Sequence, residues 1–311
     1  PAFRFISGIS AEVRLRASPP GGASPMALLN GFSREEYPNG DSYEGQFKRG
    51  ARHGPGTYYC ADGGFYEGEF CEGMMQGDGT FHYAKKESYT GQWLNSMRHG
   101  YGKFTYHDGA VYEGRWEADL RHGQGLMRYP DGSAYNGNWA DDMRHGQGQM
   151  GFGDGAQYSG GWLHDARHGY GSYRLPNGSC YDGDFKADIP EGAGKLHDAD
   201  EQSNYVGQFH EGLRSGQGKC DYERTGEKFS GEWRDGVRVK GMMYLASGDI
   251  ERVGYLNDKL VRREKLSKAE KDRLTGATLA KEPQASPSPA DVPPVEQVAS
   301  LGPGPAEAVV A

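Results

Sequence analysis

The sequence has little cysteine and no long apolar run. Its 311 residues include four cysteines, and no two of them form a Cys-x-x-Cys pair, so a reducing compartment is the simplest interpretation. No stretch approaches the length of a transmembrane helix, and residues 1–25 lack the apolar core of a secretory signal. The 35 Lys and Arg residues against 43 Asp and Glu residues make the net charge −8, which disfavours a nucleic-acid-binding surface.

Catalytic motifs are equally scarce. No serine lies in a Gly-x-Ser-x-Gly elbow. The run Gly192-Ala193-Gly194-Lys195 ends like a phosphate-binding loop, but Ile189 stands where that motif begins with glycine, and Leu196 stands in place of Ser or Thr. We therefore expect no catalytic residues, no cofactor and no enzymatic activity.

Glycine and tyrosine, in contrast, are abundant, with 50 Gly and 20 Tyr residues. An aromatic residue returns nine times at steps of 23 or 24 residues, and in every unit glycine follows two residues later and Phe or Trp two residues after that. Two further glycines lie eleven and thirteen residues after the leading aromatic in eight of the nine units. The leading positions are Tyr43, Tyr66, Tyr89, Tyr112, Tyr135, Tyr158, Tyr181, Tyr205 and Phe229.

Spacings of two predict β-strands with Tyr, Gly and Trp on one face. Turns such as Asp108-Gly109 and Asn177-Gly178 separate the strands, and they favour hairpins because both turn residues are expected at positive φ. The inward glycines are expected to leave room for an aromatic ring of a neighbouring strand. A lone hairpin is marginal in water, so the units must stack.

The motif resembles the MORN repeat (membrane occupation and recognition nexus). Tyr112-Glu113-Gly114-Arg115-Trp116, followed by Arg121-His122-Gly123-Gln124-Gly125, is a near-consensus unit. The resemblance implies an all-β, elongated solenoid of stacked antiparallel β-hairpins, with nine repeats over residues 37–255.

The flanks of the repeats differ in composition. Residues 1–36, in which Met26 is the first methionine, are expected to be a disordered or non-native extension. Residues 256–282 are expected to form a charged, partly helical cap, with a short helix near 267–275 because Ser267 and Glu270 fit a capping box. Residues 283–311 are rich in Pro and Ala and are expected to be a disordered tail.

An Arg-His-Gly ladder runs through five units, from Arg52-His53 to Arg167-His168. Equivalent histidines of adjacent units lie about 10 Å apart, too far to share a zinc ion, so no metal site is predicted. We expect each Arg and His to brace its own hairpin loop against an acidic neighbour such as Asp119, Asp142 or Asp165. A basic stripe that binds an anionic partner is the alternative.

The resemblance implies a non-catalytic scaffold that binds extended or helical protein segments in a cytoskeletal or ciliary, radial-spoke-like assembly in the cytoplasm or axoneme. The alternative is a membrane-associated module that binds phosphoinositides or tethers a membrane to the cytoskeleton. Residues 37–255 carry 23 Lys and Arg and 32 Asp and Glu, a net charge of −9, which allows only weak contact with anionic lipid. Exposed sheet edges allow a homo-oligomer. The candidate partner-binding residues, against a purely structural role, are Tyr89, Trp93, Tyr112, Trp116, Tyr135, Trp139, Tyr158, Trp162, Arg98, Arg121, Arg144 and Arg167.

Overall fold

A computed structural model describes residues 29–278, which form 21 strands and one helix. They fall into two compact units that divide between Arg144 and His145. The first unit contains β1 (Gly31–Glu36), β2 (Ser42–Lys48), β3 (Ala51–Tyr59), β4 (Phe65–Cys71), β5 (Met74–His82), β6 (Ser88–Leu94), β7 (Met97–Thr105), β8 (Val111–Glu117), β9 (Leu120–Arg128) and β10 (Ala134–Ala140).

Strand β11 (Met143–Gly151) spans the division between the units. The second unit continues with β12 (Gln157–Leu163), β13 (Ala166–Arg174), β14 (Cys180–Lys186), β15 (Ile189–Asp198), β16 (Ser203–His210), β17 (Leu213–Tyr222), β18 (Glu227–Arg234), β19 (Val237–Tyr244), β20 (Ile250–Leu256), β21 (Lys259–Lys265) and the helix α1 (Lys268–Thr278).

Strands that follow each other in the chain pair antiparallel. In the first unit the pairing runs from β1–β2 to β9–β10. In the second it runs from β11–β12 to β20–β21. The predicted all-β architecture of antiparallel hairpins with a short C-terminal helix is confirmed.

The turns differ from the sequence-based expectation. In Asp108-Gly109 only the glycine has a positive φ, of 91°. Two adjacent residues with positive φ occur instead at the other end of the strands, as at Ala118 (48°) and Asp119 (71°) between β8 and β9. These two-residue turns have the twist that a tight hairpin requires. The prediction that both residues of the Asp-Gly turns take positive φ is therefore wrong.

The Arg-His-Gly-x-Gly motif forms a bulge. Between β8 and β9, Gly114 pairs with Gly125, whereas Trp116 pairs with Arg121. One residue of β8 therefore lies opposite three residues of β9. Gly123, inside the bulge, has a φ of 61°, which explains why glycine recurs at this position.

The structure also differs from the predicted repeat limits. Strand β1 pairs with β2, whereas the sequence predicts that residues 1–36 are a disordered or non-native extension. Residues 259–265, assigned to the charged cap, form strand β21. Helix α1 begins where the capping box predicts it, and Ser267 Oγ donates to a Glu270 carboxylate oxygen at 2.7 Å. The expectations for residues 1–28 and 279–311 concern residues outside the described part of the chain.

Candidate functional site

The leading tyrosines lie flat against paired glycines. Tyr112 is fully buried, and its hydroxyl donates to the Arg115 carbonyl at 2.9 Å. A Cβ at Gly125 would lie 2.3 Å from Tyr112 Oη, and a Cβ at Gly114 would lie 2.7 Å from it. The glycines therefore leave the space that the ring occupies. Gly125 does so for a ring of the neighbouring strand, as predicted, whereas Gly114 does so for a ring of its own strand.

The tryptophans join each hairpin to the one before it. Trp116 meets Tyr112 edge-on at 5.1 Å and Tyr89 of the preceding hairpin at 5.5 Å between ring centroids. Its Nε1 donates to the Gly102 carbonyl at 3.2 Å. Edge-to-face pairs contribute about 0.5–1.5 kcal/mol beyond their buried area. The aromatic ladder thus stabilises the stack of hairpins.

The arginines brace the turn of the following hairpin. Arg98 places its guanidinium carbon 4.2 Å from the centroid of the Trp116 ring. Its Nε donates to Asp119 Oδ1 at 3.1 Å, and its Nη2 donates to the Asp119 carbonyl at 2.8 Å. Arg121 and Arg167 repeat this arrangement with the acids 21 residues further along.

Bracing against an acidic neighbour was expected, but within the same hairpin. For these arginines that part of the prediction is wrong: each one reaches the next turn, so the contact joins two hairpins. The guanidinium carbon of Arg144 lies 5.8 Å from the centroid of the Tyr135 ring. Arg121 lies at the same distance from Tyr112, so the two arginines occupy equivalent positions in their repeats.

The histidines of the motif are not part of this brace. His122 is exposed, and its Nε2 lies 3.6 Å from a Glu117 carboxylate oxygen of the same hairpin. His145 contacts His164, with 5.8 Å between ring centroids. Among residues 29–278, no three His, Cys, Asp or Glu side chains are grouped as a metal site requires.

The electrostatics of the ladder keep its phenols neutral. Burial raises the pKa of Tyr43, Tyr158 and Tyr205 from 10 to about 12. The charged form is disfavoured because the ring lies among other rings and away from water. At neutral pH these hydroxyls therefore act as hydrogen-bond donors and not as general bases.

The candidate partner-binding rings lie in the core. Their side chains are only 0–5% exposed, which favours a structural role for these rings. That they also bind a partner stays a prediction. The rings are Tyr89, Trp93, Tyr112, Trp116, Tyr135, Trp139, Tyr158 and Trp162.

Two features were missed by the sequence reasoning. The first is the opposite face of the sheet, here called the polar face, formed by the residues that follow each leading tyrosine and each glycine. The second is a tenth hairpin, β20–β21. Its signal was present in Tyr255 followed by Asn257-Asp258, both at positive φ, which is the spacing of a tryptophan and its turn.

The part of the chain that the structure describes contains no helix that is long and apolar enough to cross a membrane.

The family model described as MORN repeat matches residues 43–65, 66–87, 89–111, 112–134, 135–157, 158–180, 181–203, 205–224 and 229–250.

No curated protein sequence matches the chain. Solved structures do match it. One is the TCP domain of SAS-4 (dCPAP) of Drosophila melanogaster in complex with a proline-rich motif of Ana2 (dSTIL), at 13% identity and a TM-score of 0.32, covering 49% of this chain and 83% of that chain. Another is the TCP10 domain of Danio rerio CPAP, at 13% identity and a TM-score of 0.27, covering 75% and 100%. Such low scores carry no argument about function.

Proposed function

We propose that this chain, which belongs to the MORN repeat family, is a non-catalytic scaffold that binds other proteins through the polar face of its sheet. We place it in a cytoskeletal or ciliary assembly. The proposal is supported by a difference between the two faces of the sheet: the residues of one face bind each other, and those of the other face vary and are largely exposed.

One face is built from the two aromatic residues of every repeat and from an arginine that recurs in most repeats, and these residues are already engaged. Tyr112, Trp116 and Arg121 are buried or half-buried and bind neighbouring rings, carbonyls or carboxylates. A residue that already has its partners has little free energy left to gain from a ligand. The recurring residues therefore form the frame.

The polar face varies from repeat to repeat. The position between the glycine and the second aromatic holds four different side chains in the five repeats of the first unit, and the first four of these five residues are exposed. A constant frame with variable exposed side chains suits recognition of an extended partner surface. The five residues are Gln46, Glu69, Gln92, Arg115 and Asn138.

The proposal is tested by fractionation of ciliated cells that express the tagged chain. We expect it to remain in the insoluble cytoskeletal or axonemal pellet after detergent extraction. A variant with Glu69→Lys and Arg115→Glu should lose this retention. The matched control, Glu72→Lys with Lys85→Glu, makes the same charge changes in exposed turns and should be retained.

Release of the unchanged chain by detergent, from a membrane fraction, would overturn the scaffold proposal in favour of the membrane-associated alternative. Equal retention of both double variants would show that the polar face of the first unit is not the binding surface. Light scattering over a concentration series tests for a homo-oligomer, since a constant monomer mass excludes one.

A further inference from the structure

We propose that the free edge of β21 binds an extended acidic segment of a partner protein, which adds to the sheet as one more antiparallel strand. The inference rests on the proposed scaffold function and gives it a second, chemically defined site. It is carried by the geometry of the tenth hairpin, by its charge and by its exposed apolar side chains.

The β20–β21 hairpin continues the repeat geometry without its consensus residues. Tyr255 takes the tryptophan position and meets Phe229 edge-on at 6.0 Å. Arg238 lies 4.4 Å from the Tyr255 ring, and its Nε donates to Asp258 Oδ1 at 3.1 Å. Tyr255 and the turn before β21 therefore make the kinds of contact that a tryptophan and its turn make in a consensus hairpin.

At its β20–β21 end, the aromatic ladder lacks the tyrosine and the paired glycines against which a further hairpin would pack. Glu251 occupies the register of a leading tyrosine, opposite Met243, and it is buried in an ion pair with Arg263. Arg263 itself lies opposite Val253, where consensus hairpins pair two glycines. A strand added here needs no aromatic ring, and it must complement charge instead.

The outer edge of β21 is unpaired in the described part of the chain. Within residues 29–278 this strand pairs only with β20, and all seven of its residues are exposed. An edge strand presents unpaired N–H and C=O groups, which are a template for strand addition. Helix α1 contacts the residue that precedes β20, since Lys271 Nζ donates to Asp249 Oδ1 at 2.8 Å.

The charge of this edge selects an acidic partner. Strand β21 holds four cations and one acid, a net charge of +3. Two of these cations, Arg263 and Lys265, pair with Glu251 and Asp249. Lys259 forms no ion pair with the described residues, and Arg262 pairs only with Glu264 of its own strand. By contrast, residues 37–236 hold 20 Lys and Arg against 30 Asp and Glu, a net charge of −10. Complementary charge steers an acidic segment to this edge.

Apolar exposure sets the direction of the segment. Leu256, Leu260 and Val261 are 66%, 47% and 64% exposed, and all three lie at the tip of the hairpin. Three of the four cations, Arg262, Arg263 and Lys265, lie towards the other end of β21, whereas Lys259 lies at the tip. An antiparallel partner therefore meets the cations with its N-terminal half and the apolar residues with its C-terminal half. Its sequence should read acidic first and apolar second.

Fluorescence anisotropy of the full-length chain tests the inference. The probe is a fluorescein-labelled peptide, Glu-Thr-Glu-Thr-Glu-Val-Thr-Val-Thr, and its controls are the reversed sequence and a copy with alternate backbone nitrogens methylated. We expect the probe to bind at least tenfold more tightly than either control. Lys259→Glu with Arg262→Glu should weaken binding at least tenfold, whereas Arg34→Glu on the exposed β1 strand should leave it unchanged.

Equal affinity for the methylated peptide would overturn strand addition, since methylation removes backbone donors that an added strand needs. Equal affinity for the reversed peptide would overturn the antiparallel direction. Binding to phosphatidylserine vesicles or to a single-stranded DNA oligomer, lost in the double variant while the peptide fails to bind, would assign the edge to a membrane or nucleic acid. Detergent fractionation is independent of these readouts, so failure of the β21 site and failure of the scaffold proposal are distinguishable.

Discussion

Substitution of Gly125 by alanine is the sharpest perturbation of the aromatic ladder. The added Cβ would lie 2.3 Å from Tyr112 Oη and 2.6 Å from its Cε2 and Cζ atoms. These distances are far shorter than carbon atoms tolerate. The ring has nowhere to move, because Tyr112 is fully buried between Trp116 and Trp139.

The magnitude follows from two effects. Overpacking a filled core costs about 1–3 kcal/mol. Displacement of the ring also breaks the hydrogen bond from Tyr112 to the Arg115 carbonyl, which contributes about 0.5–1.5 kcal/mol. We therefore expect Gly125→Ala to destabilise the local structure by about 2–4 kcal/mol. The control, Gln124→Ala, changes the adjacent exposed residue and should cost no more than about 0.5 kcal/mol.

Amide hydrogen exchange is the appropriate assay, because stacked repeats contact only their neighbours and the effect should be local. A loss of 2 kcal/mol corresponds to about 30-fold faster exchange through opening. We expect this acceleration in β8 and β9, and no comparable change in β2 and β3.

A double-mutant cycle decides whether the ring is the cause. In a Tyr112→Ala background, Gly125→Ala should cost close to nothing, because the obstructing atoms are gone. The same cost with and without the ring would refute the reasoning.

Three further predictions concern the braces and the titrating groups. Asp119→Ala removes the acceptor of the Arg98 side chain and should lower the free energy of urea unfolding by about 1–2 kcal/mol; an unchanged midpoint would contradict the brace. Burial raises the pKa of Tyr158 to about 12, so its stabilisation is complete below pH 10 and is lost as pH rises towards 12. As the pH rises towards 12, tyrosinate absorbance should appear together with loss of the near-UV circular dichroism signal. Ionisation of Tyr158 near pH 10 while the chain is still folded would contradict the raised pKa. The ammonium groups of Lys265 and Lys271 lower the pKa of Asp249 from 3.8 to about 2. The stability that this carboxylate contributes is therefore present above pH 3.8 and is lost as the pH falls towards 2. An NMR titration midpoint of the Asp249 carboxyl near 3.8 would contradict the contact.

Local pattern carried most of the fold. Tyr112, Gly114 and Trp116 are spaced by two, and this spacing places all three on one face of a strand. The helix start at Ser267 is equally local, since its capping partner lies three residues away. Signals of this kind were read correctly because both partners are close in sequence.

The tenth hairpin escaped sequence reasoning for a physical reason. Glu251 and Val253 replace the tyrosine and glycine of the motif, so the consensus is lost although the register is kept. The hairpin holds because Arg238, Tyr255 and Asp258 reproduce the long-range contacts of a consensus repeat.

The sequence by itself determined that this chain is a MORN-type array of hairpins, because strand period, turn residues and repeat length are properties of neighbouring residues. Only the tertiary structure decided which residues face outward. The rings that the sequence offered for docking are buried because each hairpin lays its tryptophan on the tyrosine of the hairpin before it. The arginine stripe is held by carboxylates 21 residues away, and contacts at that separation form only when the hairpins stack.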